Sequence, residues 1–550
     1  MSDKKNREFV QSHYEDGKLY NLEAVRLWLK GKDAWNKWVE ENPECDVDFS
    51  IVDFSKIRGR GANEEIYFAY FWFPKGGVSF SEAQFGEGSV DFSNAKFGGG
   101  DVNFFGTLFG KGNVNFSFAQ FGEGDVDFSK TRFGKGDVDF SYAQFGEGNV
   151  DFSSTQFGEG NVDFSKTRFW EGNVSFTLAQ FGKGIVNFYK AQFGEGKVSF
   201  TLARFGEGNV LFSESRFGEG DVDFSHTQFG EGEVFFYKTR FGEGDVDFSK
   251  TQFREGNVDF SNTQFGEGKV SFTLAQFGEG NVNFSEAQFG EGNVDFLGAK
   301  FDEDVNFQLI QVGGNLILRE LEESSEITSF LMKGASVDGL LSLSDNTFNC
   351  VPDLTETNIK HDVELQTLNV RLKRERLNRK GLWAEKSQDS RDIERLRKLK
   401  QIAENNKHHE AALRFHADEM RAKRWHKKEV GGFGFLGSVL DLLYSTACRY
   451  GQSIARPFIG LAITWCCFFA AFQYFIISQS KNTDWLKTAI FVISNSLPFI
   501  SVAKEVRKDF SELYFAESMN LYYSLVITQA VFSLLFVFLI GLGLRNRFRL

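Results

Sequence analysis

The stretch "FGEGNVDFSSTQFGEGNVDFSKTRF", Phe145 to Phe169, is nearly one twelve-residue phrase written twice. With small edits the phrase runs from Val78 to Val305, about 19 times. One Phe returns at every step from Phe80 to Phe296, and a second from Phe85 to Phe301. Each stands two positions after a small or β-branched residue, as Val78 does before Phe80 and Ala83 before Phe85. In an extended chain residues i and i+2 share a side. The phrase therefore encodes two very short strands, each turning one small and one large side chain the same way.

A single twelve-residue unit has two sides and cannot bury that apolar face. Two units make a four-sided coil of 24 residues, and stacked coils bury it continuously. The totals agree with a repeat architecture: 66 Phe and 56 Gly stand against 5 Pro in 550 residues. Buried phenylalanines contribute roughly 2 kcal/mol each, so the rings of the two Phe series form the core. At ~4.8 Å per coil the strict repeat predicts nine to ten coils, a rod about 45 Å long. "SK" and "SY" mark a tight corner, and "GEGN" and "GEGD" a wider one whose glycines are expected to supply backbone freedom.

"VDFSK" and "TQFGE" resemble the units of pentapeptide-repeat proteins, in which a small and a polar residue precede Leu or Phe. The resemblance implies a right-handed quadrilateral β-helix. The sequence departs from that family by two extra residues after every second unit, which makes sides of five and seven. The expected fold is thus mainly a β-solenoid of 12-residue repeats, about two per coil, followed by an α-helical hairpin and a two-span helical membrane domain.

Residues 24 apart share a face. One outward column reads Ser79, Asn103, Asp127, Asp151, Ser175, and another Gln84, Leu108, Arg132, Gln156. Acidic faces alternate with Gln/Arg faces, and the segment 78–305 holds 35 acidic and 18 basic residues. Leu211 above Phe235 breaks an Asp/Asn face and is a candidate contact patch for a protein partner.

Further segments flank the repeat on both sides. Residues 1–45, with Trp28, Trp35 and Trp38, form a helical cap over the first coil. Residues 46–305 are the repeat and 306–370 closing strands of the same solenoid. Residues 371–430 hold 19 basic and 10 acidic residues and suit a hairpin of two amphipathic helices. Its His408, His409 and His416 are read as surface residues, not metal ligands. Residues 431–456 suit a helix lying on a membrane surface, and 457–550 a membrane domain. The N-terminus has no apolar run of signal-peptide length, and the five scattered cysteines suit reduced thiols.

Phe458–Ile477 and Leu521–Leu544 run uncharged for twenty and twenty-four residues, long enough to cross a hydrocarbon core of ~30 Å. Arg449 and Arg456 precede the first run, and Arg545, Arg547 and Arg549 follow the second, which puts both termini in the cytoplasm. Between them Trp485–Ile493 is apolar but too short to cross. It ends in Ser494, Asn495 and Ser496, then Leu497, Pro498 and Phe499. Irregular backbone at membrane depth survives only where protein or a wet cavity surrounds it.

"ALRFHADEMRAKR", "RYGQSIARPF", "NSLPF" and "GLGLRNRFRL" resemble the ion-channel-like domain that follows pentapeptide repeats in bacterial proteins. That resemblance implies a bacterial inner-membrane homo-oligomer, four copies by analogy with potassium channels, with Ser494, Asn495, Ser496, Leu497, Pro498 and Phe499 as pore or filter candidates, the first three lining the pore with hydroxyls and an amide. The stretch has no glycine and no Thr-Val-Gly-Tyr-Gly, so a filter of stacked carbonyls is not expected. A membrane-tethered scaffold whose solenoid binds a protein is the alternative. A DNA mimic that binds a topoisomerase is a more distant one, because the Gln/Arg faces and the membrane tether suit it poorly, and no nucleic acid partner is expected. No nucleophile–base pair, phosphate loop or metal spacing occurs, so neither enzyme activity nor a cofactor is expected.

Overall fold

A computed structural model of the chain describes residues 18–57, 65–376, 385–425, 434–479, 481–482, 484–497, 501–516 and 518–548. It comprises two compact units that divide after Arg371.

In the first unit the chain winds into a β-solenoid of about 14 turns. Two-residue strands such as Val126–Asp127 and Val138–Asp139 stack parallel and in register. One side forms a 15-stranded sheet and another a 12-stranded sheet. Gln/Arg ladders such as Gln84, Leu108, Arg132, Gln156 and Lys96, Gln120, Gln144, Arg168 make the other two sides through single bridges and short strand pairs. The coil is therefore four-sided with a step of 24, as in Val126 on Val150.

The period dictates the core. Phe80, Phe104 and Phe128 stack with parallel, offset rings whose centroids lie 4.9 and 4.7 Å apart, the spacing of neighbouring strands. Across the coil Phe80 meets Phe92 edge-on, at 5.4 Å and 86°. Both arrangements suit the aromatic quadrupole. Where the small position is Thr, the buried hydroxyl of Thr107 donates to the Phe80 carbonyl at 2.8 Å, and Thr131 does the same to Phe104 at 2.7 Å. These positions read from sequence only as small; the hydroxyls are satisfied and cost little burial energy.

The glycines carry a different burden from the one the sequence suggests. Those of the wide corner, Gly86 apart, keep ordinary backbone angles. They are needed because successive coils touch there: a Cβ on Gly110 would stand 1.6 Å from the Gly86 carbonyl oxygen, and one on Gly148 2.2 Å from that of Gly124. The left-handed conformation falls instead on non-glycine residues of the tight corner, with φ of 57° at Lys130, 58° at Tyr142 and 60° at Leu178. Each costs roughly 1–2 kcal/mol, which the coils above and below must offset.

Helices α1 (Asn21–Trp28) and α2 (Lys32–Glu41) lie over the first coil. Trp35 is fully buried and stacks on Phe49 at 5.8 Å, while Trp28 stacks on Phe68 at 5.3 Å. Beyond Val305 the step varies, from 25 between Val305 and Phe330 to 22 between Leu341 and Val363. Leu318, Met332 and Leu343 then take the interior positions.

The second unit is helical. After an antiparallel ribbon, Arg374–Arg376 with Glu385–Ser387, α3 (Asp392–Asn405) and α4 (His409–Lys423) pair as a hairpin. Then follow α5 (Phe435–Cys448), α6 (Ala455–Ser478), α7 (Trp485–Asn495), α8 (Ser501–Tyr514) and α9 (Met519–Arg547). Helices α6 and α9 are long and apolar enough to cross a membrane.

Candidate membrane-embedded site

Helices α6 and α9 pack along one another. A Cβ on Gly460 would stand 2.5 Å from the Phe536 ring, so glycine there lets the ring seat. Their outward faces are apolar: Phe458, Ile463, Ile527 and Phe538 are between 57 and 68% exposed. The polar side chains lie within. Thr464, Gln529 and Ser533 are buried, the reverse of a water-soluble bundle.

Helix α7 sits between these two. Asp484 caps it, its carboxylate accepting from the Leu486 and Lys487 amides at 3.1 and 3.2 Å. Near its start Gln473 of α6 donates to Thr488 at 3.0 Å, and near its end Trp465 donates to Ser496 at 2.7 Å. So α7 runs back along α6 from the Ser478 end. Ser496 also donates to Ser533 at 3.1 Å. Ser533 is the fifteenth of the 29 residues of α9, and Trp465 the eleventh of the 24 of α6. The short helix therefore enters from one end of the pair and stops half-way down.

Asn495 is fully buried. Its amide donates to the Val526 carbonyl at 3.2 Å and to the Gln529 side chain at 3.1 Å, while Gln529 donates to the Val492 carbonyl at 2.6 Å. Asn495 Oδ1 accepts no hydrogen bond. Of the residues marked out in the sequence, Asn495 and Ser496 are thus turned toward α6 and α9 of their own chain. Ser494 and Leu497 are half-buried, and the Ser494 hydroxyl donates to the Phe491 carbonyl at 2.9 Å. Pro498 and Phe499 lie outside the described residues.

Above this polar layer an aromatic cluster ties α8 back. Phe510 stacks on Phe491 at 3.9 Å and meets Phe472 edge-on, and Phe515 stacks on Phe475 at 4.5 Å. The opposite face of α8 exposes Lys504, Glu505, Lys508, Asp509 and Glu512. A cleft of about 320 Å³ between α7 and α8 is lined by Lys487, Ile490, Asp509 and Phe510.

Helix α5 is turned the same way out as the spans. Leu436, Leu440 and Leu443 are exposed while Ser438 and Asp441 are buried. Asp441 accepts from Arg424 at 2.6 Å and from the Tyr450 hydroxyl at 2.9 Å, and Arg424 donates to Tyr450 at 2.7 Å. Burial, with the Asp441 carboxylate alongside, outweighs the Arg424 guanidinium and pushes the Tyr450 phenol up to about 12. Tyr450 sits in an elbow of three left-handed residues, Arg449, Tyr450 and Gly451, at φ 49°, 57° and 81°. Sequence reading missed this buried triad, because its members are 17 and 26 positions apart.

In the α3–α4 hairpin the buried carboxylate of Glu419 meets Arg397 at 3.2 Å, Lys423 at 2.6 Å and His416 at 3.9 Å. Burial raises its pKa, but the His416, Lys423 and Arg397 side chains beside it outweigh that and hold it at about 2. Among the described residues no group of His, Cys, Asp and Glu is placed to hold a metal ion.

Leu211 and Phe235 lie directly paired on neighbouring strands and half-buried, in an outward column of the 12-stranded sheet. No protein-family model matches this chain, and no curated protein and no solved structure matches it.

Proposed function

We propose that this protein is a channel-like membrane oligomer whose β-solenoid serves on the cytoplasmic side as sensor, gate or partner-binding domain. The observation that carries the reading is α7. A short helix that stops level with the midpoints of two spanning-length helices leaves backbone ends at mid-depth, where only protein or a wet path can satisfy them. The charged face of α8 adds to this, since in hydrocarbon it would need water or opposite charges. Two spans cannot enclose a pore, so several copies surround one, four by analogy with other pore-loop channels. A bacterial inner membrane with both termini inside follows from the resemblance and from the arginines flanking the spans.

In this reading Asn495 and Ser496 position α7 while Ser494 and Leu497 face the path. Purified full-length protein in planar bilayers then passes current, and Ser494→Trp reduces it at least tenfold. Bilayers that stay silent across voltage, ion type and tension overturn the proposal. A non-conducting, membrane-tethered scaffold is the second reading, favoured by the half-exposed Leu211 and Phe235 on an otherwise polar face.

A further inference from the structure

Between Asp91 and Asn306 the outward face that carries Leu211 and Phe235 follows a rule at every coil but theirs. Coil after coil, an Asp or Asn carboxyl or amide oxygen accepts from the backbone amide two residues on. The distances are 2.7 Å at Asp139 and Asp163, 3.0 Å at Asn187, 2.9 Å at Asp259 and 3.0 Å at Asn283. Leu211 and Phe235 have no such acceptor. Two coils in the middle of the column forgo a turn-forming hydrogen bond and hold half-exposed apolar side chains instead. Beside them Tyr189 and Tyr237 stand where neighbouring coils have Ser165, Ser213 and Ser261. Further along the same corner Phe118 and Tyr142 stack outward at 4.7 Å, 50 and 40% exposed. A repeat that abandons its own local rule in two adjacent coils signals a constraint from elsewhere.

The order of residues along the corner supplies that constraint. We infer that this face is the interface of a two-fold antiparallel pair of solenoids, the occupant being a second copy of this chain. The axis lies in the face, across the coils, between Leu211 and Phe235. Rotation about it sets Leu211 against the partner's Phe235. Glu214, which holds Lys190 of its own chain at 3.3 Å, meets the partner's Lys238, and Lys166 meets the partner's Glu286. The bulky Tyr237 and Tyr189 fall opposite the partner's Ser213 and the partner's Ser261. Tyr142 falls opposite the partner's Leu309, at a position 55% exposed. Every relation occurs twice, as an isologous interface requires.

The register is defined by strands that pair without slippage from Asn115 to Leu331. Over that run the rotation sets Asp137 opposite the partner's Asp304 and otherwise puts no like charges of this face and its tight corner opposite one another. A parallel pair, its two-fold running along this column, would set Asp139, Asp163 and Asp259 each against its own copy, which is unfavourable. At ~4.8 Å per coil and a face ~15 Å wide the contact covers roughly 700 Å² a side, close to that of a standard specific interface. The inference does not depend on whether the spans conduct.

The test uses full-length protein in detergent. Chains carrying Tyr142→Cys are mixed with chains carrying Leu309→Cys and treated with a short bis-maleimide, and linked peptides are read by mass spectrometry. Within one chain the two positions are seven coils apart, roughly 34 Å, so a link between them joins two molecules. A 142–309 link is expected. Sedimentation should show Glu214→Lys lowering the paired fraction at least tenfold, with Glu214→Lys/Lys238→Glu restoring it. A 142–142 link in its place, or a chain that stays single and unlinked at micromolar concentration, overturns the inference. A silent bilayer leaves it untouched.

Discussion

The two units of this chain are built inside out with respect to each other. In the solenoid the interior is Phe, Val and Ala, and the outward columns are Asp, Asn, Gln and Lys. Around α6, α7 and α9 the interior layer at mid-depth is Asn495, Gln529, Ser496 and Ser533, and the outward faces are Phe, Ile and Leu. Water drives apolar groups inward, whereas hydrocarbon makes polar groups seek one another. The two patterns of burial are opposite, and the second suits candidate membrane-spanning helices.

The comparison can be broken at several points, the largest first. Phe140 sits between Phe116 and Phe164 at 4.9 Å on either side. Phe140→Ala should cost about 3–5 kcal/mol, read from the β-sheet transition in denaturant; a change under ~1 kcal/mol would mean that the ladder is not the core. The mirror experiment is Phe538→Asp, on the outward face of α9, where Phe538 is 68% exposed. In lipid it should cost about 3 kcal/mol of insertion, measured as loss from the membrane fraction after carbonate extraction. In water the same exchange would be harmless, and the contrast between the units would fail.

Acid sharpens the picture. Glu419 is held at about 2, well below the usual carboxylate range. Its folded pKa is lowered, so its contribution is present above about pH 4.5 and is lost as pH falls toward 2. That amounts to about 3 kcal/mol. The solenoid's pairs, such as Lys135–Glu159, are more than half exposed and contribute little. Amide exchange at pH 3 should therefore open the α3–α4 hairpin before the solenoid.

Asn495→Ala removes two buried hydrogen bonds and should loosen α7 by about 1 kcal/mol, seen as faster labelling of a cysteine placed at Ser494. The smallest effect is a gain. Lys250 holds φ 56°, so Lys250→Gly relieves left-handed strain and should stabilise the solenoid by roughly 0.5 kcal/mol after the added chain entropy. A loss there would mean that the lysine side chain, not the backbone, sets that corner.

Much of this was legible because it is periodic. A small residue two before Phe, every twelve, leaves one way to bury the rings, and the coil of 24 follows. The closing turns after Val305 were legible from alternation alone, although their steps of 22 and 25 were not. The wide-corner glycines were read as turn formers. They are spacers between coils, a property of the stack that no single corner displays. The break after α7 was marked by Ser494, Asn495 and Ser496, yet which of them turn inward depends on Gln529 and Ser533, more than thirty residues away.

By its sequence alone this protein is committed to a repeating aromatic coil and to two long apolar helices, because local period and local hydropathy decide both. Only the tertiary structure decided where the polar atoms between those helices find partners, and which coils touch closely enough to exclude a Cβ. Those are contacts between residues distant along the chain, and their energy depends on mutual position rather than on residue type.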